Sequence, residues 1–136
     1  EEGLAPLPVG KGSVRREGRT LAFLAFGPVL SECLKAAAEL DATVVDMRFV
    51  KPLDEALILS LARTHELLVT VEENAVMGGA GAAVSECLAA HNMLIRVLHC
   101  GLPDRFLEQD TQENQRAASR LDAASLVSLA RKKLSE

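Results

Sequence analysis

The sequence predicts an α/β fold of three layers, αβα, around a mostly parallel five-stranded sheet with one antiparallel edge strand. Three observations carry this expectation. Short apolar or β-branched runs alternate with segments whose apolar residues recur at i, i+3, i+4 and i+7. The run from Thr20 to Phe26 is apolar on both faces, as a strand inside a parallel sheet must be. Finally, 136 residues with 49% apolar and 25% charged side chains suffice for one core beneath a polar surface.

Each element has its own local reason. After a polar lead-in with Pro6, Pro8 and Gly10, the segment GSVRREGRTLAFLAF reads as two extended arms joined at Glu17-Gly18. Glycine supplies the positive φ of a tight turn, so a short antiparallel hairpin is expected there. Gly27-Pro28 ends the second arm, and Leu30, Cys33, Leu34 and Ala37 then mark one face of a helix. Thr43 to Met47 is a β-branched strand, and Asp54 is placed to N-cap a helix with Leu57, Leu61 and Ala62 inward. Leu67 to Val71 is the next strand. A glycine-rich turn leads into a helix with Ala80, Val84, Cys87 and Leu88 on one face, and Ile95 to His99 is the last strand. Thr111 and Asp122 are candidate N-caps of two closing helices, the second presenting Leu126, Ala130 and Leu134.

Composition narrows the function classes. A net charge of -4 and a pI near 5.4 oppose nucleic-acid binding, and four phenylalanines as the only aromatics provide no base-stacking platform. The longest apolar stretch, Leu21 to Leu30, is too short to span a bilayer, and no signal-like segment opens the chain. A cytoplasmic protein with no membrane partner is therefore expected. The chain starts with Glu1 rather than Met, as a piece of something longer would. Cys33, Cys87 and Cys100 form no C-x-x-C pair and read as reduced core thiols. His65, His91 and His99 show no metal-ligand spacing among themselves, and the expectation is of structural histidines and no metal site.

In open α/β sheets, ligands approach the carboxyl ends of the strands. Here those ends are Gly27, Asp46-Met47-Arg48, Glu72-Glu73-Asn74 and Gly101 to Asp104. Arg48 could hold a phosphate or carboxylate in a two-pronged hydrogen bond, or it could pair with Asp46 or Asp54 and fix its loop. The stretch VEENAVMGGAGAAV offers either backbone N–H groups for an anion or glycines that let a helix approach the sheet. It matches neither the P-loop nor the dinucleotide turn. Glu72 and Glu73, as neighbours on a strand, point to opposite faces and form no catalytic pair.

The run VDMRFVKPLDEALILSLARTHELLVTVEENAVMGGAGAAV, with LPVGKGSVRREG before it and GLPDRF after it, resembles the C-terminal domain of the 1-deoxy-D-xylulose-5-phosphate synthase family. The likeness extends from Leu7 to Phe106, and the segment LEQDTQENQRAASRLDAASL departs from the family's usual pattern. Shorter pieces also look like transketolase C-terminal domains and the beta subunits of 2-oxo acid dehydrogenases. The resemblance implies a transketolase C-terminal-like domain over residues 11–136, with residues 1–10 a linker from a preceding domain. It implies a homodimeric transferase that uses thiamine diphosphate and Mg2+ to join pyruvate to glyceraldehyde 3-phosphate with loss of CO2, opening a route to isoprenoids. Both cofactors would lie in the preceding domains, because this sequence has no G-D-G…N segment. Arg48 matches the family arginine expected to touch the substrate phosphate, and no residue matches a catalytic Glu or His. The domain would then be inactive alone. The rivals are the equivalent domain of a dehydrogenase beta subunit or transketolase, and a purely structural dimerisation module.

Overall fold

The computed structural model describes residues 10–50, 52–72, 79–101 and 121–136. Along them run β1 (Ser13–Arg16), β2 (Leu21–Phe26), α1 (Leu30–Leu40), β3 (Thr43–Asp46), α2 (Glu55–Thr64), β4 (Leu67–Glu72), α3 (Ala80–Ala90), β5 (Arg96–Gly101) and α4 (Ala123–Leu134). The five strands form one sheet in the order β1-β3-β2-β4-β5. β2 pairs in parallel with both β3 and β4, β4 pairs in parallel with β5, and β1 runs antiparallel to β3 at the edge.

Position in the sheet explains the hydrophobic pattern. All six residues of β2 are buried, since β2 has a strand on either side and helices over both faces. Leu21, Phe23 and Ala25 face α1 and α4, where they meet Cys33, Ala36, Ala37, Leu126 and Ala130. Ala22, Leu24 and Phe26 face the opposite layer, with Ile58 and Leu61 of α2 and Val84 and Leu88 of α3. The expected three-layer αβα architecture with one antiparallel edge pair is the one observed.

The hairpin is not. β1 joins β3 rather than β2, and the connection from Glu17 to Thr20 crosses the amino-terminal ends of the strands. Gly18 is absent from the positive-φ residues, whereas Thr20 has φ of 72°. What Gly18 supplies is room: a Cβ there would lie 2.4 Å from the Asp41 carbonyl oxygen and 2.5 Å from the Ala42 carbonyl carbon. Its N–H donates to Thr43 Oγ1 at 2.9 Å, and Arg19 N–H donates to the Asp41 carbonyl at 2.8 Å. These bonds carry the chain past β3, and burial of both β2 faces outweighs a local turn preference. β5 also starts one residue later than expected and continues through Cys100 and Gly101, in register with Val71 and Glu72.

The helix caps follow the sequence. Asp54 accepts Leu57 N–H at 3.2 Å, and Asp122 accepts Ser125 N–H at 2.8 Å. Thr111, the third expected cap, lies outside the described residues. Glu32 of α1 accepts Ala123 N–H at 2.8 Å and so ties the start of α4 to its neighbour.

Candidate functional site

The carboxyl end of β3 carries one of the four left-handed non-glycine residues among the described residues. After β3, Met47 stays attached to the sheet through its N–H to the Ala25 carbonyl at 2.9 Å. Arg48 then adopts φ of 63°, inside a three-residue turn closed by Phe49 N–H and the Met47 carbonyl oxygen. For a non-glycine residue this left-handed tight turn costs about 1–3 kcal/mol, and such outliers gather at binding sites. The turn sets the arginine against the strand end instead of letting it follow the sheet.

Its ionic environment is specific. Arg48 Nε lies 3.8 Å from Asp46 Oδ2, and an Arg15 terminal nitrogen lies 3.7 Å from the same oxygen. Only about a fifth of the Asp46 and Arg48 side-chain area is exposed (22% and 21%), while Arg15 is half-open at 42%. Two guanidinium groups thus converge on one carboxylate, which leaves net positive charge at the strand end. The contact to Arg48 uses Nε and not the terminal amino groups that form a two-pronged anion contact. Asp54, the other carboxylate that Arg48 could have met, is occupied differently. Besides capping α2 it accepts Gly12 N–H at 2.8 Å, fixing the lead-in beside the same loop.

At the end of β4, Glu72 Oε2 accepts Gly81 N–H at 3.3 Å, while its buried Oε1 has no hydrogen-bond partner among the described residues. Glu73 and residues 74–78 lie outside them. Beside Glu72, His99 of β5 bridges the sheet to α3: Nδ1 is 2.7 Å from Thr70 Oγ1, and Nε2 is 3.1 Å from Ser85 Oγ. Burial pushes this imidazole below its usual value, and the Glu72 carboxylate opposes the shift in part. A Cβ at Gly81 would come within 2.6 Å of His99 Nδ1, so at this position glycine serves close packing of α3 on β5.

The other singled-out residues lie elsewhere. His65 closes α2 at the amino ends of the strands. Its Nδ1 lies 2.9 Å from the Leu61 carbonyl oxygen, and its Nε2 lies 2.8 Å from Thr43 Oγ1. His91 closes α3, with Nδ1 3.0 Å from the Cys87 carbonyl oxygen. Cys33 and Cys100 are buried thiols pushed up by burial to about 12 and about 11, values that suit inert core groups. Burial and the Glu55 carboxylate also raise the Cys87 thiol. Arg15 was not legible as a site residue, because nothing in sequence brings β1 beside β3. Among the described residues, one group of donors could hold a metal, namely Glu55, Cys87 and His91. A thiol and an imidazole do not suit Mg2+, which takes oxygen ligands, so these residues do not fit the Mg2+ implied by the resemblance.

Known proteins are similar to this chain in sequence and in fold. The family model for the transketolase C-terminal domain matches residues 10–126. A 1-deoxy-D-xylulose-5-phosphate synthase of Pseudomonas fluorescens is 57% identical over 134 residues, covering 98% of this chain and 21% of that protein. The Escherichia coli protein of the same name is 59% identical over 123 residues, covering 90% of this chain and 20% of that one. This chain therefore spans about a fifth of the length of these curated relatives. Among solved structures, a split-gene transketolase in the form of an inactive β4 tetramer superposes with a TM-score of 0.80 at 34% identity, covering 96% of this chain and 44% of that chain. With the family model spanning most of the sequence and the strand order accounted for, the chain belongs to the transketolase C-terminal domain family.

Proposed function

We propose that this chain is the C-terminal, acceptor-facing domain of a 1-deoxy-D-xylulose-5-phosphate synthase, a transferase joining pyruvate to glyceraldehyde 3-phosphate with loss of CO2. Identity of 57–59% over nearly all of the chain to proteins of that name supports the reading. The observation that carries the domain's own part is Arg48, held at a strand's carboxyl end in a left-handed turn and drawn there by Asp46. A planar guanidinium in that place suits a phosphate monoester.

In this reading residues 11–136 are the domain and residues 1–10 a linker to the preceding domains, which bind thiamine diphosphate and Mg2+ in a cytoplasmic homodimer. Thiamine diphosphate, held by those domains, would supply the electron sink for the loss of CO2 from pyruvate. This chain's residues bind and orient the phosphorylated aldehyde, and by themselves they turn over nothing. No helix among the described residues is long and apolar enough to cross a membrane.

The test has two arms. The full-length protein, given pyruvate, glyceraldehyde 3-phosphate, thiamine diphosphate and Mg2+, is expected to release CO2 and form 1-deoxy-D-xylulose 5-phosphate. The 136-residue chain is expected to show no heat of binding with the cofactor and metal and no turnover. Micromolar cofactor binding by the chain alone would overturn the division of labour. A full-length protein that handles only unphosphorylated acceptors would point instead to a dehydrogenase beta subunit.

A further inference from the structure

Cys87 and His91 stand one helical turn apart on α3, and the first residue of α2, Glu55, meets them from the neighbouring helix. One donor atom from each of the three lies within 4.8 Å of the other two. We propose that these residues form a site for a thiophilic divalent cation of the Zn2+ class.

The donor set is the first argument. A thiolate, an imidazole nitrogen and a carboxylate oxygen match Zn2+ and other borderline-soft ions, whereas Mg2+ and Ca2+ take oxygen. Geometry is the second. Metal–ligand lengths of about 2.0–2.3 Å place tetrahedral donors roughly 3.3–3.7 Å apart, so closure needs at most about 1.5 Å of inward movement. That movement falls to Glu55, whose exposed side chain is free to turn, while Cys87 is held by the core at 4% exposure.

The His91 ring is already oriented. A carbonyl oxygen only accepts, so the 3.0 Å contact makes Nδ1 the donor to the Cys87 carbonyl and leaves Nε2 with its lone pair. Fixing a ring nitrogen on a backbone carbonyl is the outer support that metal-bound histidines usually have. Glu55 and His91 are both exposed, so an ion can enter from solvent and water can fill a fourth position. On binding, the Cys87 S–H bond breaks, a sulfur–metal bond forms, and the proton passes to water.

Cobalt is the probe, because its bond to a thiolate absorbs in the near ultraviolet. Metal-free protein titrated with Co2+ is expected to develop this band at one ion per chain, and Zn2+ should abolish it. The band should vanish in Cys87→Ser. It should need at least roughly tenfold more metal in His91→Gln and in Glu55→Gln, two surface changes that leave the core intact. No thiolate band in the parent protein overturns the site. So does a band that persists in Cys87→Ser, since Cys33 and Cys100 lie in the core on the other side of the sheet. A band indifferent to both surface variants would also overturn it, whatever Cys87→Ser does to folding.

Discussion

Asp46 Oδ2 stands 3.8 Å from Arg48 Nε across the carboxyl end of β3, with Arg15 3.7 Å from the same oxygen. At this length the contact is electrostatic and not a hydrogen bond. It therefore orients Arg48 through Nε, and the second guanidinium offsets the carboxylate. The same carboxylate supports two roles: an ion pair that fixes the loop, or a brace that aims Arg48 at a substrate. The predictions below separate them.

Arg48→Ala in the full-length protein is expected to lower kcat/KM for glyceraldehyde 3-phosphate roughly 10- to 100-fold, because a charge-assisted hydrogen bond contributes about 1.5–3 kcal/mol. Arg48→Lys should restore only part, as an ammonium cannot make a planar two-pronged contact. Turnover of unphosphorylated glyceraldehyde, already poor, should hardly change. Steady-state kinetics with both acceptors decide the matter. Equal losses on both, accompanied by a lower Tm, would make Arg48 a loop-fixing residue and favour the structural-module reading.

Asp46→Asn keeps the shape of the brace and removes its charge. A partly exposed ion pair contributes about 0.2–1 kcal/mol, so KM for the phosphorylated acceptor should rise up to about fivefold with kcat little changed. In an Arg48→Ala background the same change should have no further effect, because its target is gone. A double-mutant cycle on KM measures this coupling. Independent, additive losses would show that Asp46 acts on the fold and not through Arg48.

The legible parts of this structure were those set by pattern. β2 is apolar throughout because it is central and parallel, and Asp54 and Asp122 cap helices through local hydrogen bonds that their types announce. The parts that escaped depend on contacts between distant residues. Glu17-Gly18 carries good hairpin chemistry, yet Gly18 is there because the Asp41 and Ala42 backbone passes against it. The site follows the same division. Arg48 is visible at a strand end, but its left-handed φ belongs to a turn that no residue type announces, and the convergence of Arg15 comes from the β1–β3 pairing. Cys87 and His91 are four apart on one helix, a spacing missed by treating cysteines and histidines separately, and Glu55 arrives from another element.

Two glycine substitutions should differ in cost. In Gly18→Ala the new methyl meets only backbone, at 2.4 Å and 2.5 Å, which cannot retreat without moving β3. A loss of about 3 kcal/mol is expected, near the top of the overpacking range. In Gly81→Ala the neighbour is the His99 ring at 2.6 Å, a side chain on the edge strand β5 that can swing away after giving up Thr70. A loss of about 1 kcal/mol is expected there. Urea unfolding of the two variants measures the order. Equal costs, or a larger cost at Gly81, would contradict the account of the β1–β2 crossing.

His99 should make stability depend on pH in a defined direction. Its folded value lies below 6.5 because burial between Thr70 and Ser85 penalises the imidazolium more than Glu72 favours it. In the window between the folded value and 6.5, the unfolded chain binds a proton that the folded chain refuses. Stability therefore rises with pH across that window, is fully present above it, and declines on acidification from about 6.5 downward. His99→Gln removes this linkage while leaving Glu72 and the other carboxylates in place. Denaturant unfolding of parent and variant across about pH 5–8 gives the test, read as the difference between the two stabilities. That difference should be constant at the alkaline end and shift against the parent as the solution is acidified. A flat difference, or one that moves in the parent's favour in acid, would show that His99 is not held neutral by the fold.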